Sequence, residues 1–182
     1  SDTDTPQGIV CICRQPKISA NEFEAGDVTN IVLLENIQNP SNLGSILRTC
    51  DALNVNSVAI SNGSCDIYNP KTLRGSMGAV FRLNIIFFDN TTEFIKQLKE
   101  NNFKIYATVP GDNAVPLGSI SFEGKIGIIL GNEGNGLEQE TIDSCNGKIT
   151  IPMSENAESL NVSVAMGIAV WEMTNRGKNI NG

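Results

Sequence analysis

The stretch ENIQNPSNLGSILRT (35–49) carries several asparagines and an arginine at a predicted strand-to-helix junction. Asn36, Asn39 and Asn42 crowd the junction, and Arg48 follows on the helix. Amide and guanidinium groups suit contacts to phosphates and hydroxyls. The stretch therefore predicts a polar binding site, although its spacing alone favours a plainer interpretation of Arg48 as a solvated helix residue.

A glycine-rich loop, LGNEGNGL (130–137), follows the most apolar predicted strand. Its glycines let the backbone turn tightly and a ligand approach closely, and its N–H groups could bind a phosphate or a nucleoside. The loop is not a P-loop, because no Gly-Lys-Ser/Thr follows, and its G-x-x-G-x-G spacing is not the dinucleotide fingerprint. A simple turn is an equal alternative. Glu133 within the loop indicates a nearby cation, because a carboxylate at a buried edge usually needs one.

A third stretch, IPMSENAESLNVSVA (151–165), places two polar residues where a long apolar run begins. Ser159 and Asn161 flank Leu160. Ser159 is a suitable N-cap for the last predicted helix, since a serine hydroxyl accepts from the first free N–H groups. That role explains Ser159 but not Asn161, which leaves Asn161 as a candidate for chemistry.

Composition limits the classes of function. The chain has 182 residues, 40% of them hydrophobic, which suits one globular domain. No apolar stretch approaches the roughly 18 residues that span a bilayer. The net charge of −7 argues against nonspecific nucleic-acid binding. A local basic patch is still available from four cations: Arg48, Lys71, Arg74 and Arg82.

Metal and histidine chemistry are not indicated. The chain has no His, and its 5 cysteines include no C-x-x-C pair. Zinc sites rely on such ligands, so no metal site is predicted. An odd number of cysteines in a chain of this size favours reduced thiols and a cytoplasmic location. The absence of His also removes the usual general base.

Short β-rich runs alternate with helical patterns along the whole chain. The predicted strands are 8–13, 30–37, 57–60, 83–88, 103–109, 125–131 and 147–153. The predicted helices are 41–54, with Ser41 as N-cap, 70–79, 91–101, 136–145 and 159–176. This alternation predicts an α/β fold with a mostly parallel sheet and helices on both faces. Residues 1–7 form a linker or tail, and 8–182 form the domain. Ligands of such sheets bind beyond the carboxyl ends of the strands, where all three stretches lie.

Taken together, the three stretches resemble the motifs of the SpoU (TrmH-like) family of the SPOUT superfamily. The first family motif, N-x-x-N-x-G followed by R-T, reads NPSNLGSILRT at 39–49, and the second, G-N-E-G-x-G-L, reads GNEGNGL at 131–137. The third reads IPM at 151–153 and SLNVSVA at 159–165. YNPKTLRGSMGAVFRL (68–83) also resembles the segment between the first two motifs. The resemblance extends from Gly8 over nearly all of the chain, with the motifs in the family's order.

This family consists of RNA ribose 2'-O-methyltransferases that use S-adenosylmethionine. The resemblance implies that Arg48 is the catalytic arginine, that Asn42 and Glu133 help to place it, and that Ser159 and Asn161 face the active site. It also implies a set of cofactor-binding residues: Leu130, Gly131, Asn132, Gly134, Ile151, Met153 and Leu160.

The resemblance further implies a deep trefoil knot in the C-terminal part and a homodimer that uses the last helix and the first-motif region. The implied partner is RNA, with rRNA favoured over tRNA. Many relatives carry an N-terminal RNA-binding domain, which we expect to be absent from this chain. Glu155 stands where the family usually has Gly.

Two other classes of function compete with this interpretation. A non-catalytic RNA-binding relative would have lost Arg48, Asn42 or Asn161, and all three are present. A nucleotide-binding oxidoreductase would need a glycine-rich turn after the first strand and an acidic residue about 20 positions later. The sequence CRQPKI (13–18) offers neither. Binding of NAD or of S-adenosylmethionine would separate these classes.

Overall fold

One parallel sheet forms the centre of the computed structural model, which describes residues 8, 12, 14–15, 18–55, 57–111, 113–154, 156–157 and 159–175. Within these residues the sheet has 8 strands, and every pairing is parallel. The strands are β1 (Ile18–Ser19), β2 (Asn30–Leu34), β3 (Ser57–Ser61), β4 (Asn84–Phe88), β5 (Phe103–Thr108), β6 (Val115–Pro116), β7 (Lys125–Leu130) and β8 (Gly147–Thr150).

Helices connect most of these strands. They are α1 (Pro40–Ala52), α2 (Pro70–Ser76), α3 (Thr91–Glu100), α4 (Gln139–Ser144) and α5 (Val162–Asn175). Pro70 opens α2, as the sequence predicts, because the fixed φ of proline suits a first helical turn. None of the helices in the described part of the chain has the length and hydrophobicity that crossing a membrane requires.

The strand order is β1-β4-β3-β2-β7-β5-β8-β6. Val32 of β2 pairs with Val58 of β3 on one side and with Ile128 of β7 on the other. From β2 the chain builds outward through β3 to β4 and then crosses the sheet to β5 and the edge strand β6. It returns to the centre at β7 and places β8 between β5 and β6. This arrangement brings the ends of β2, β7 and β8, which carry the three motifs, to the same edge of the sheet.

Helices cover both faces of the sheet, which confirms the predicted α/β fold. One face packs residues of β2, β3 and β7 against α1 and α5 in a core that includes Leu47 and Val170. The other face packs alternate residues of the same strands against α3 and α4. Because side chains alternate along a strand, β2 contributes Val32 to the first core and Leu33 to the second.

Several element boundaries differ from the sequence predictions. Strand β2 ends at Leu34, before Asn36 turns into the left-handed region at φ 55°. The N-cap of α1 is Asn39, whose side chain accepts from the Ser41 N–H at 2.9 Å, so Ser41 as N-cap is wrong. The last helix begins at Val162, so Ser159 as its N-cap is also wrong.

Two edge strands had no sequence prediction. Strands β1 and β6 are two residues long and pair only with β4 and β8. Two residues cannot show the alternation that marks a strand. The predicted strand 8–13 and Glu155 lie outside the described residues, apart from residues 8 and 12 of that strand.

Candidate active site

A cavity of about 480 Å³ opens at the carboxyl ends of β5, β7 and β8. Its lining includes all the residues that the sequence predicts to bind a cofactor: Leu130, Gly131, Asn132, Gly134, Ile151, Met153 and Leu160. These residues come from the end of β7 and from the loops that follow β7 and β8, which meet because β7 and β8 flank β5. The size is within the range of small-molecule sites in proteins.

The glycine-rich loop is closed by its own hydrogen bonds. The backbones of Asn132 and Gly136 bond to each other at 2.9 and 3.0 Å. The Asn132 side chain accepts from the N–H groups of Gly134 and Asn135 at 2.8 and 3.1 Å. Most N–H groups of the loop are therefore used within it. These N–H groups are not free for a phosphate, and the loop forms one wall of the cavity.

Gly131 is the residue that allows this closure. A Cβ atom at position 131 would overlap the Gly136 carbonyl and the Leu137 N–H. At Gly134, by contrast, the nearest atom to a Cβ would be the Asn132 side-chain oxygen at 3.5 Å. The loop therefore needs glycine at 131 for steric reasons that do not apply at 134.

Glu133 lines the cavity and is hydrogen-bonded to the first motif. Its carboxylate accepts from the N–H groups of Gln38 and Asn39 and from the Asn42 side-chain amide, at 3.1, 3.1 and 3.0 Å. Burial raises the pKa of Glu133, but these hydrogen bonds outweigh that effect and the net pKa is lowered. The N-terminus of α1 also favours a negative charge here.

The sequence favours Arg48 as the cation that pairs with Glu133, and this pairing is wrong. No ion pair joins the two among the described residues, because three N–H donors from residues 38–42 already satisfy the carboxylate. Glu133 therefore does not position Arg48 by direct contact. Arg48 lies exposed on α1, six residues after Asn42, which is about 9 Å along the helix axis.

Asn42 and Asn161 join the first motif to the third. The Asn161 side-chain amide donates to the Asn42 side-chain oxygen at 3.1 Å. The side-chain oxygen of Asn161 accepts from the N–H and the hydroxyl of Ser163 at 2.9 and 2.7 Å. Asn161 thus stands at the start of α5, where Ser159 was expected. Glu133, Asn42 and Asn161 form one hydrogen-bonded row that connects all three motifs.

The remaining predicted residues divide between the cavity and its rim. Ser159 and Glu133 line the cavity, whereas Asn42, Asn161 and Arg48 do not. Arg48 shares α1 with Asn42 and projects to solvent beside the row. The structure brings the motif loops together as the sequence predicts, but it leaves Arg48 outside the cavity.

The loop after β5 was missed by sequence reasoning. Thr108, Val109 and Pro110 line the cavity. The Thr108 hydroxyl is buried and has no hydrogen-bond partner among the described residues. The available signal was its position at the carboxyl end of a central strand, where ligands of parallel sheets bind.

The buried carboxyl group of Glu35 contacts the chain immediately after the glycine-rich loop. Glu35, only 4% exposed, accepts from the hydroxyls of Thr91 and Thr141 at 2.6 and 2.7 Å and from the Glu138 N–H at 3.4 Å. These bonds provide hydrogen-bond partners for both buried carboxyl oxygens. They also join the ends of β2, α3 and α4, which fixes where the loop re-enters the fold.

The described cysteines are not suited to nucleophilic chemistry. Cys50, Cys65 and Cys145 are free thiols. Burial raises the pKa of Cys50 to about 12 and that of Cys145 to about 11. Thiols with such values stay protonated and unreactive. Among the residues with assigned positions, no group of three His, Cys, Asp or Glu side chains is placed to hold a metal ion.

Comparison with known proteins identifies the family of the chain. The model of the SpoU rRNA Methylase family matches residues 29–171. The 23S rRNA (guanosine(2553)-2'-O)-methyltransferase RlmP of Bacillus subtilis is 31% identical over 173 residues, which cover 95% of this chain and 67% of that protein. The 23S rRNA (guanosine-2'-O-)-methyltransferase RlmB of Xanthomonas campestris is 33% identical over 142 residues, covering 78% of this chain and 57% of that protein.

Solved structures show the same fold. The AdoMet-bound rRNA methyltransferase from Sinorhizobium meliloti superimposes with a TM-score of 0.81 at 27% identity, covering 87% of this chain and 60% of that one. The TrmH/SpoU tRNA modifying enzyme of A. aeolicus superimposes with a TM-score of 0.74 at 29% identity, covering 82% and 76%. The chain therefore spans about three fifths to three quarters of the length of these relatives.

Proposed function

Because the chain belongs to the SpoU rRNA Methylase family, we propose that it transfers a methyl group from S-adenosylmethionine to the 2'-oxygen of a ribose in RNA. The observation that carries this proposal is the cavity at the carboxyl edge of the sheet, whose lining combines the second and third motifs. The row of Glu133, Asn42 and Asn161 then links that cavity to the helix that bears Arg48.

The residues around the cavity fit S-adenosylmethionine, which supplies the methyl group on a sulfonium. Leu130, Ile151 and Leu160 offer apolar surface for an adenine ring. The Thr108 hydroxyl is buried and has no hydrogen-bond partner in the described protein, so it is available to bond to the cofactor. A small number of polar groups in an apolar cleft is the usual composition of a cofactor site.

Arg48 provides the positive charge at the reacting end of the site. A guanidinium is always protonated and has no acceptor, and the chain contains no His. Arg48 therefore binds an RNA phosphate and stabilises the developing negative charge on the 2'-oxygen, while phosphate or solvent takes the proton. Ser159 and Asn161 orient the ribose, and positioning of this kind supplies much of the rate enhancement.

The substrate that we favour is rRNA. Two of the relatives are named as 23S rRNA methyltransferases that act on guanosine 2'-oxygens. A tRNA substrate is the second candidate, because a similar solved structure is a tRNA modifying enzyme. We also propose a cytoplasmic location, which is consistent with the bacterial origin of these rRNA-modifying relatives.

We also propose that the C-terminal part forms the trefoil knot of the family. Strand β8 lies beyond β5, whereas α5 returns to pack on α1 and β7. Residues 151–154 and 159–161 lie at the carboxyl edge of the sheet, next to the glycine-rich loop and the loop after β5. This position supports a threaded path for the last helix.

Labelled S-adenosylmethionine tests the proposed reaction. Incubation with rRNA or tRNA from a strain that lacks the gene should label one nucleotide, and digestion should release a 2'-O-methylated nucleoside. A single 2'-deoxy substitution at that nucleotide should abolish labelling and change RNA affinity by no more than a few-fold. A base-methylated nucleoside, or calorimetric binding of NAD in place of S-adenosylmethionine, would contradict the proposal. Labelling of tRNA alone would favour the second substrate.

A further inference from the structure

Two large apolar side chains just after α2 are exposed to solvent. Met77 is 66% exposed and Phe81 68% exposed, more than any other large apolar side chain between residues 18 and 175 that the structure describes. Neither contributes to the two cores of the sheet. Exposed large apolar groups only four residues apart indicate an interaction surface.

The same surface is positively charged on a negatively charged chain. Lys71 and Arg74 are exposed on α2, and no acidic residue occurs between Asp66 and Asp89. Arg82 donates from Nε to both carboxylate oxygens of Asp51, at 3.2 and 3.0 Å, and from a terminal guanidinium nitrogen to one of them at 2.6 Å. Lys71 and Arg74 have no ion-pair partner among the described residues. With a net charge of −7 on the whole chain, this concentration of cations is local.

The backbone at Met77 is unusual for its residue type. Met77 has φ 50° and is followed by Gly78 at φ 83°. Every other non-glycine residue with positive φ in the described part of the chain is an asparagine, the residue type that tolerates this region best after glycine. A strained residue that also stands exposed points to a function of the exposed side chain.

This surface is continuous with the proposed active site. Helices α1 and α2 are in contact where Gly44 faces Gly75, close enough that a Cβ at position 44 would lie 2.7 Å from the Thr72 carbonyl oxygen. Arg48 follows Gly44 by one helical turn. From Asn42, at the rim of the site, to Asp51, which holds Arg82, α1 covers about 14 Å. A strand of RNA could follow this line.

We propose that Lys71, Arg74, Met77, Phe81 and Arg82, which we call the α2 surface, bind the single-stranded RNA next to the target nucleotide. Phe81 stacks on one base, Met77 packs beside it, and Lys71 and Arg74 contact the adjoining phosphates. Stacking on an exposed aromatic ring needs an unpaired base, so the partner is a loop or a single strand and not a duplex. This inference rests on the proposed function, because it concerns the substrate of the same site.

A second copy of the chain is the other occupant to consider, and charge disfavours it. A symmetric dimer places the same patch of both subunits at one interface, which would bring these cations towards each other. An RNA backbone instead neutralises them.

Binding of a labelled oligoadenylate at low salt, measured by fluorescence anisotropy with the full chain, tests the α2 surface. Phe81→Leu keeps an apolar side chain without the ring and should weaken binding about five-fold or more, the lower end of what stacking of one base contributes. Phe81→Trp should retain or improve affinity. The same oligoadenylate paired with oligouridylate should bind wild type more weakly than the single strand does.

The cations are tested by the salt dependence of the same binding. Lys71→Ala with Arg74→Ala should reduce the slope of log affinity against log salt by about 1.4, or 0.7 for each lost phosphate contact of a single strand. The matched control, Lys96→Ala with Lys104→Ala, removes the same charge from exposed positions elsewhere and should leave the slope nearly unchanged.

Three results would overturn the inference: wild-type affinity in Phe81→Leu, equal slopes in the test and control double variants, or a duplex bound as tightly as the single strand. Conversion of a wild-type dimer to a monomer by Phe81→Leu would assign the α2 surface to a second copy of the chain. Cofactor binding and methyl transfer by the wild type, measured separately, show whether the proposed function stands when the α2 surface fails.

Discussion

Arg48 is the charged residue of the first motif and Glu133 that of the second. Their surroundings differ. Three N–H donors satisfy the Glu133 carboxylate, whereas Arg48 is exposed and has no ion-pair partner in the described protein. A carboxylate whose acceptors are filled acts as a structural link. A free guanidinium at the rim of a site remains available for a phosphate.

Arg48→Ala should lower the rate constant for methyl transfer on the order of 100- to 1,000-fold, the usual effect of removing one group that stabilises a developing oxyanion. The affinity for S-adenosylmethionine should stay nearly unchanged, because Arg48 does not line the cavity. Arg48→Lys should restore little activity, since a point charge does not replace a planar fork.

Single-turnover kinetics with saturating RNA and calorimetry of the cofactor separate these two effects for Arg48. Ser45→Ala, an exposed change one turn earlier on α1, is a control that should keep near-normal activity. Near-normal turnover in either Arg48 variant would exclude Arg48 from the chemistry.

Glu133→Gln should lower the free energy of unfolding by about 1 kcal/mol at neutral pH, a value reduced for solvent screening at an exposed group. The folded-state pKa of Glu133 lies below its ordinary value of 4.5. Its stabilising contribution is therefore complete above that value and is lost as the pH falls through the folded pKa.

Denaturant unfolding of wild type and Glu133→Gln at a series of pH values tests this linkage. The difference between the two should be constant around neutral pH and should shrink below about pH 4.5. A difference that stays constant into acid would show that the carboxylate charge does not stabilise the contact with residues 38–42.

At the scale of elements, hydrophobic periodicity predicted the longer helices and the central strands, because each buries a regular set of side chains. The ends of the elements depended on local choices that periodicity does not report. Asn39, and not Ser41, is the N-cap of α1. Asn161, and not Ser159, lies at the start of α5. In both cases an asparagine bonded to an N–H two residues later, which competes well with a serine cap.

The candidate site was predictable to the level of its loops but not of its contacts. The motifs identified the residues that line the cavity, since β7 and β8 end at the same edge. The partners of Glu133 were not predictable, because they include backbone N–H groups of residues 38 and 39, whose direction depends on how α1 begins. Thr108 was missed because one hydroxyl at a strand end has no pattern of its own.

Gly131→Ala should weaken cofactor binding by at least about ten-fold, because its Cβ would overlap the backbone at Gly136 and Leu137 and force the loop open. Gly134→Ala is the matched control: its Cβ would meet only the Asn132 side-chain oxygen at 3.5 Å, so affinity should change by less than about three-fold. Calorimetry with S-adenosylmethionine measures both, and equal losses would show that loop closure at 131 does not shape the cavity.

At the scale of the whole molecule, the last helix has one face in the core and one in solvent, and both are apolar. Met166, Val170 and Met173 are buried against the sheet and α1. The outer face carries Val164, Ile168 and Trp171, which are 50%, 39% and 56% exposed and follow one another at helical spacing. A helix that is apolar all round usually packs on two sides.

We expect the protein to be a homodimer in which this outer face of α5 is buried against a second copy. Unlike the α2 surface, the outer face carries no cation, so a symmetric pairing brings apolar groups together without opposing charges. Sedimentation at micromolar concentration should give about twice the chain mass of 19.5 kDa. Trp171→Glu should shift the protein to the monomer, because it would place a charge in an apolar interface at a cost of several kcal/mol.

The matched control for Trp171→Glu is Phe81→Glu, which introduces the same charge at another exposed aromatic residue, on the α2 surface. It should leave the dimer intact and weaken only RNA binding, because a carboxylate repels phosphates. Circular dichroism confirms that both variants keep their helices. A wild type that sediments as a monomer, or a Trp171→Glu variant that stays dimeric, would show that α5 is not the interface. A monomer from Phe81→Glu would move the interface to α2 and remove that surface from RNA recognition.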